Sequence, residues 1–252
     1  MNLTIDQGNS RTKVALFNDE GRIVKNFIYK SFAASDIERL FALYPITDSI
    51  ISSVVNIEPA VVNTLNRLSK HFVLFDYLTP IPIRNGYSSP ETLGQDRLAA
   101  AVGAATLCPD TNVLIIDAGS AITYDFVAEG NEFVGGNIAP GIKMRLTMLN
   151  RMTKKLPLVE VEENELIPLF GKTTRDAIAI GVIRGVVYEV KGYIRSLMHS
   201  LNQDTITILL TGGNAPYIAN HLNSFEEGRY KLNLQKHLVL IGLNRILEYN
   251  KQ

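Results

Sequence analysis

Two stretches of this chain place an acid, a glycine and a small polar residue just after a short apolar strand, and they lie nearly half the chain apart. The first is Leu3-Thr4-Ile5 followed by the tip Asp6-Gln7-Gly8-Asn9-Ser10, with a return strand over residues 12–17. The second is Val113-Leu114-Ile115-Ile116 followed by Asp117-Ala118-Gly119-Ser120, returning over residues 121–126. Asp6 and Asp117 are 111 positions apart in 252 residues, which points to an internal duplication. Such a tip suits a phosphate chain. Glycine lets the backbone approach a ligand closely, and turn N–H groups with the Asn9, Ser10 and Ser120 side chains can donate to phosphate oxygens. An aspartate cannot touch phosphate directly, so it requires a cation between them, normally Mg²⁺ with its retained waters. A single Asp-x-Gly is ordinary turn chemistry. Two, each opening half of the chain, are a pattern.

Composition narrows the classes. Hydrophobic residues make up 46% and charged residues 20%, a globular balance that can bury a large core. Lys plus Arg and Asp plus Glu are 25 each, so no global field recruits nucleic acid or an anionic membrane. The lone Cys108 cannot form an internal disulfide and suits a reducing, cytoplasmic setting. The first residues lack the basic and apolar regions of a signal peptide, and no apolar run is long enough to span a membrane.

Read in order, the first half predicts a third strand over 22–29, a helix capped by Ser35 with Glu38 completing a capping box, and a strand over 49–55. A helix over 58–70 with Pro59 in its first turn follows, then a strand over 72–75. This β-β-β-α-β-α-β order is characteristic of one half of the actin-like nucleotide-binding fold. Residues 79–93 are expected to be irregular, punctuated by Pro80, Pro82, Gly86 and Pro90. They lead into an alanine-rich helix with Asp96 and Arg97 at its N-terminus. Asp96 reads either as a helix cap or as a reactive acid. Arg97 opposes the helix dipole there, a conflict that an anionic ligand would resolve.

The second half repeats the plan, with a turn at Glu129-Gly130-Asn131 and a third strand over 132–138 broken at Gly135-Gly136. A helix over 142–152 follows, then a Glu-rich excursion over 159–170. A helix over 173–200 carries only Arg184 and Glu189 as charges between 177 and 190, so it must bury more than one face. A strand over 205–211 ends at Gly212-Gly213-Asn214, a helix opens at Pro216, and a terminal amphipathic helix covers 235–249. No linker intervenes, so two domains are expected, 1–111 and 112–252.

The hairpins alone fit a kinase for another small acceptor, a phosphatase, or a nucleotide-binding regulator. The loop from Tyr87 to Arg97 argues against the first. Retention of Asp6, Asp96, Asp117 and Asp125 argues against the last.

Five segments resemble the type III pantothenate kinases of the actin, sugar-kinase and Hsp70 superfamily. They are Asp6-Gln7-Gly8-Asn9-Ser10; the Tyr-x-x-Pro-x-x-x-Gly-x-Asp-Arg pattern from Tyr87 to Arg97; Asp117 to Asp125; Gly135 to Gly141; and Thr174-Arg175-Asp176-Ala177-Ile178. Ser120 stands where Thr is usual, Gln95 where a small apolar residue is common, and Lys13 where many members are uncharged. The resemblance implies an α/β fold of duplicated actin-like (ribonuclease H-like) domains with an interdomain cleft. It implies ATP-dependent phosphorylation of the primary hydroxyl of pantothenate, the first step of coenzyme A synthesis. Position by position, Asp6, Gln7, Gly8, Asn9, Ser10, Arg11, Thr12, Lys13 and Ser120 would hold ATP, with Asp6 reaching Mg²⁺ through water. Asp117 would bind a monovalent cation, K⁺ or NH₄⁺. Tyr87, Gly94, Gln95, Asp96, Arg97 and Thr174 would hold pantothenate, with Asp96 as general base. The resemblance also favours a homodimer built on the long helix.

Overall fold

The duplication is visible in the strand order of two sheets. The computed structural model describes residues 1–161, 168–223 and 230–251; part of the Glu-rich excursion, 162–167, lies outside them. The first sheet is built from β1 (Asn2–Gln7), β2 (Thr12–Phe17), β3 (Ile23–Tyr29), β4 (Asp48–Ser53) and β5 (His71–Leu74). Helices α1 (Ala34–Leu43) and α2 (Pro59–Leu68) connect the later strands. Its order is β3-β2-β1-β4-β5, with β1, β2 and β3 antiparallel and β1, β4 and β5 parallel. After a two-residue β6 (Arg84–Asn85), a single 3₁₀ turn (Pro90–Thr92) and α3 (Gln95–Leu107), the plan recurs. The new elements are β7 (Val113–Ala118), β8 (Ala121–Ala128), β9 (Glu132–Pro140), α4 (Ile142–Met152), α5 (Thr174–Leu201), β10 (Ile206–Thr211), α6 (Ala215–Asn223) and β11 (Tyr230–Leu234). The second sheet runs β11-β10-β7-β8-β9-β6: the same order read from its third strand to its fifth, with β6 added beside β9. The terminal helix is α7 (Leu238–Tyr249).

The chain divides into two compact units, Met1–Thr111 with Val127–Gly135 and His237–Gln252, and Asn112–Phe126 with Gly136–Lys236. Chain order alone suggests a break at 111/112; packing returns two later segments to the first unit. In that unit Leu3, Ile5, Val14, Leu16 and Ile51 pack beneath Ile37 and Leu40 of α1 and Val61 and Leu65 of α2. The opposite face of the sheet meets α3 and α7. Those two helices lie backbone to backbone: a Cβ on Gly242 would stand 1.8 Å from the Ala99 carbonyl oxygen, and one on Gly103 2.4 Å from that of Leu238. The alanines of α3 therefore serve close helix contact. In the second unit, Ile178, Ile183, Val186 and Val190 of α5 share a core with Leu114, Ile116, Ile208, Leu210, Ile218 and Leu222.

Several expectations need correction. The first helix starts two residues early: its N-cap is Ala33, whose N–H donates to Asp36 Oδ2 at 3.0 Å, so Asp36 rather than Glu38 reaches back. Residues 79–93 are not wholly irregular, because β6 pairs in parallel with Glu132 and Phe133 at the start of β9. Gly135-Gly136 does not break the third strand of the second half; β9 runs through both, with Gly135 at φ 143°. A strand at 230–234 follows α6, and α7 begins three residues later than the amphipathic pattern suggests.

A polar cluster fastens α7 to the sheet. Asn2 Nδ2 donates to Asn244 Oδ1 at 2.8 Å, and Lys251 Nζ lies 2.6 Å from Asn2 Oδ1 and 2.9 Å from Asp48 Oδ2. His71 Nδ1 meets the other Asp48 oxygen at 2.8 Å. Burial raises the Asp48 pKa, but the hydrogen bonds from Lys251, Thr47 and His71 outweigh it and hold the group at about 2.

Candidate active site

Hydrophobic alternation places Asp6. Leu3 and Ile5 enter the α1/α2 core, so Asn2, Thr4 and Asp6 point to the opposite face. Asp6 is thus a strand residue in β1, buried to 7% exposure, rather than part of the exposed tip that the sequence suggests. Its antiparallel partner is Lys13 and its parallel partner Ser52. Lys13 Nζ stands 3.9 Å from Asp6 Oδ2, a loose pair that puts the cation beside the acid. The turn is tight: Gly8 N–H donates to the Arg11 carbonyl at 3.1 Å. Asn9, Ser10 and Arg11 are exposed, whereas Thr12 is buried at the start of β2. Gln7 ends β1; its carbonyl accepts from Val54 N–H at 3.1 Å, with Ser53 Oγ 3.4 Å away.

The second hairpin follows the same rule. Asp117 lies within β7, paired in parallel with Thr211, and the turn is Gly119-Ser120, with Ser120 exposed. This turn is held from outside. Asn214 donates its backbone N–H to the Ala118 carbonyl at 3.0 Å, and its Nδ2 reaches the carbonyls of Ala118 and Gly119 at 3.3 and 3.4 Å. In a trans peptide the N–H points opposite to the C=O. Pinning those carbonyls therefore turns the Gly119 and Ser120 N–H groups the other way, as an anion-binding turn requires. Gly141 N–H donates to the Ser120 carbonyl at 3.2 Å, and a Cβ there would stand 2.3 Å from that oxygen. Gly212, at φ 92°, packs as closely: a Cβ would lie 2.5 Å from Ala118 C and from Asp117 Oδ1. Beyond Gly141, Arg145 Nε donates to the Pro140 carbonyl at 2.7 Å and its NH2 to Glu189 Oε2 at 2.7 Å, while Tyr124 Oη donates to Glu189 Oε1 at 2.8 Å. Burial first, then Glu189, raises the Tyr124 pKa, so its hydroxyl stays a donor.

The segment from Tyr87 to Arg97 forms a third group, in the first unit. Gly94 is the N-cap of α3, so Asp96 is the second residue of the helix and not its cap. Asp96 Oδ1 accepts the Arg97 N–H at 2.9 Å, and a Cβ on Gly94 would stand 2.7 Å from that same oxygen. The Arg97 side chain is buried, with its guanidinium 5.8 Å from the centre of the Tyr87 ring; Tyr87 in turn stacks on Phe133 at 6.1 Å. Gln95 Nε2 donates to the Leu93 carbonyl at 3.2 Å. Thr174 is the exposed first residue of α5, whose N-cap Thr173 accepts the Asp176 N–H at 3.1 Å. Asp6 to Lys13 and Tyr87 to Arg97 thus belong to the first unit, and Asp117, Ser120 and Thr174 to the second. Sequence reasoning left Ser52, Arg145 and Glu189 without a role, and none of the three carries a local signal. Gly141 closes a segment already read as a motif, a glycine between a strand and a helix, and its close approach is to the Ser120 carbonyl.

No described helix is long and apolar enough to cross a membrane. Among the described residues no group of three or more His, Cys, Asp or Glu side chains could hold a metal alone. The model of the type III pantothenate kinase family matches residues 2–196. A type III pantothenate kinase of Phocaeicola vulgatus is 40% identical over 250 residues, covering 99% of both chains. Among solved structures, a Campylobacter jejuni protein described as a Baf family transcriptional activator aligns with TM-score 0.63 at 22% identity, over 99% of this chain and 98% of that one. Component A of the (R)-2-hydroxyglutaryl-CoA dehydratase of Acidaminococcus fermentans aligns with TM-score 0.53 at 14% identity, over 99% and 98%. At these identities the likeness speaks for the fold, which is the duplicated actin-like one. With a family model over most of its length and a full-length relative at 40% identity, the chain belongs to the type III pantothenate kinase family.

Proposed function

We propose the following residue roles for the reaction of this family, the ATP-dependent phosphorylation of pantothenate at its primary hydroxyl, the first step of coenzyme A synthesis. As a member of the family the chain carries out that reaction. The observation that carries the assignment is the pair of polar hairpin turns, each set just beyond a strand-borne aspartate, Asp6 and Asp117. Residues Asp6, Gln7, Gly8, Asn9, Ser10, Arg11, Thr12 and Lys13, with Ser120, bind ATP. The donor set at Asp6 is a single buried carboxylate beside one ammonium, which fits a magnesium ion held mainly by phosphate and water. When bound, Mg²⁺ neutralises phosphate oxygens and lowers the charge barrier to attack. Asp117, facing the second turn, holds K⁺ or NH₄⁺.

Tyr87, Gly94, Gln95, Asp96, Arg97 and Thr174 bind pantothenate. Arg97, held over the Tyr87 ring, pairs with the substrate carboxylate. The Asp96 carboxylate orients the primary hydroxyl and takes its proton as the new O–P bond forms and the bond from the γ-phosphorus to the bridging oxygen of ADP breaks. Phosphoryl transfer of this kind rests on alignment and charge neutralisation more than on covalent chemistry. A cytoplasmic setting, consistent with the lone Cys108, provides the ATP.

The assembly is a homodimer through α5. Gly181, Gly185, Tyr188 and Gly192 fall on one stripe of that helix. Added Cβ atoms at the three glycines would meet nothing within 4 Å, and Tyr188 is 50% exposed. A two-fold pair of such helices closes on itself. The deciding experiment is ATP turnover in Mg²⁺ with and without pantothenate, in K⁺ and in Na⁺. Pantothenate-dependent formation of 4′-phosphopantothenate that is faster in K⁺ is expected. Acceptor-independent phosphate release would refute the kinase reading, and equal rates in K⁺ and Na⁺ would refute the cation at Asp117.

A further inference from the structure

Apart from Ser52, the polar side chains of β1 and β4 have partners. Thr4 Oγ1 donates to the Ala15 carbonyl at 3.4 Å, Ser49 Oγ meets Ser69 Oγ at 2.6 Å, and Ser53 Oγ donates to the Val55 carbonyl at 2.7 Å. Ser52 differs. Its residue is fully buried, and its Oγ has no hydrogen-bond partner among the described residues. An unsatisfied buried hydroxyl is costly, and an alanine of nearly the same shape would remove the cost. Its position indicates what the hydroxyl serves. Ser52 is the parallel register partner of Asp6. Their chain neighbours Ile51 and Ile5 both enter the α1/α2 core, so Ser52 and Asp6 point together to the other face. Adjacent strands lie about 4.8 Å apart, a spacing that a serine hydroxyl and an aspartate carboxylate on facing positions can bridge. Lys13 flanks Asp6 on its opposite side, 3.9 Å away.

We infer that Ser52 is a positioning residue for Asp6: when the magnesium–nucleotide binds, its hydroxyl, unpartnered in this structure, turns to donate to the Asp6 carboxylate and fixes the oxygen that faces the hydrated magnesium. This rests on the assignment of Asp6 to magnesium given above. Lys13 and Ser52 then bracket the carboxylate from β2 and β4, the ammonium by charge and the hydroxyl by direction. A hydrogen bond to a charged group is worth more than one between neutral partners. Its loss should therefore appear where the carboxylate meets metal, and not in binding of the nucleotide as such.

The test is calorimetric binding of the non-hydrolysable nucleotide AMP-PNP, with and without Mg²⁺, to wild type, Ser52→Ala and Ser52→Cys, with thermal unfolding of each. Cysteine fills the space but donates weakly. Both variants are expected to bind Mg²⁺·AMP-PNP about tenfold more weakly, to bind metal-free AMP-PNP within about twofold of wild type, and to melt no lower than wild type. Unchanged Mg²⁺·AMP-PNP affinity in Ser52→Ala overturns the inference. So does an equal loss with and without metal, which marks a structural role, and so does full retention by Ser52→Cys, which marks a packing role. If the wild type itself binds AMP-PNP equally with and without Mg²⁺, the magnesium assignment at Asp6 fails as well.

Discussion

The Asp96 carboxylate occupies the space that a side chain on Gly94 would need: a Cβ there would stand 2.7 Å from Asp96 Oδ1. Gly94 has φ −58°, a value open to any residue, so the glycine is required by its neighbour and not by its backbone. The obstructing atom is the free end of a short side chain, which can swing away at little cost in folding energy. Gly94→Ala is therefore expected to leave thermal stability within about 1 kcal/mol of wild type and to lower kcat by about tenfold or more through misplacement of the acid. Melting and steady-state kinetics on the same preparation check this.

Asp48 sets an acid limit on stability. Its carboxyl, ordinarily at 3.8, titrates at about 2 in the fold. A depressed folded value contributes stability that is complete above the unfolded pKa and is lost as pH falls through the folded one. The window thus lies between about pH 4 and pH 2, and the contribution is about 2 kcal/mol at neutral pH. Asp48→Asn should lose about that much at pH 7 and show a flatter decline below pH 4. Urea unfolding at pH 7, 4 and 3 measures both.

Much of this fold is legible in the chain. Apolar strands ending in Asp-x-Gly-x mark both hairpins, and Pro59 marks the first turn of α2. What escapes are features without local periodicity. A two-residue strand such as β6 has no alternation to read and exists through pairing with Glu132 and Phe133. Ser35 and Glu38 have the spacing of a cap and its partner; tertiary packing of Ile37 and Leu40 sets the phase, so that Ala33 is the cap and Asp36 reaches back to it. The acids read as tip residues because turn chemistry and strand ends look alike in sequence. Parallel pairing to Ser52 and Thr211 draws them into β1 and β7. The motif residues of the candidate site are readable as types. Their supports, Asn214 on the Ala118 carbonyl and Gly141 on Ser120, come from distant segments and follow only from the topology.

The exposed stripe of α5 carries the dimer proposal to a measurement. Gly185→Glu places a charge where close helix approach is proposed, on a position with open space around its Cβ, so the folded subunit should tolerate it. Light scattering at micromolar concentration should give a dimeric mass for wild type and a largely monomeric one for the variant, with weaker pantothenate binding if Thr174 serves a shared pocket. A monomeric, fully active wild type contradicts the assembly.

The most direct test of the proposed chemistry is kcat of Asp96→Asn beside its thermal stability. Asparagine keeps the size of the side chain and an oxygen that can still accept the Arg97 N–H, the bond that Asp96 Oδ1 makes at 2.9 Å. It removes the group that orients the hydroxyl and accepts its proton. General-base contributions are typically ~10²–10⁴-fold. The expected result is a kcat lowered by about two orders of magnitude or more, with ATP binding and melting temperature near those of wild type. A variant of native stability that retains about a tenth or more of wild-type kcat would contradict the assignment of Asp96 as the base.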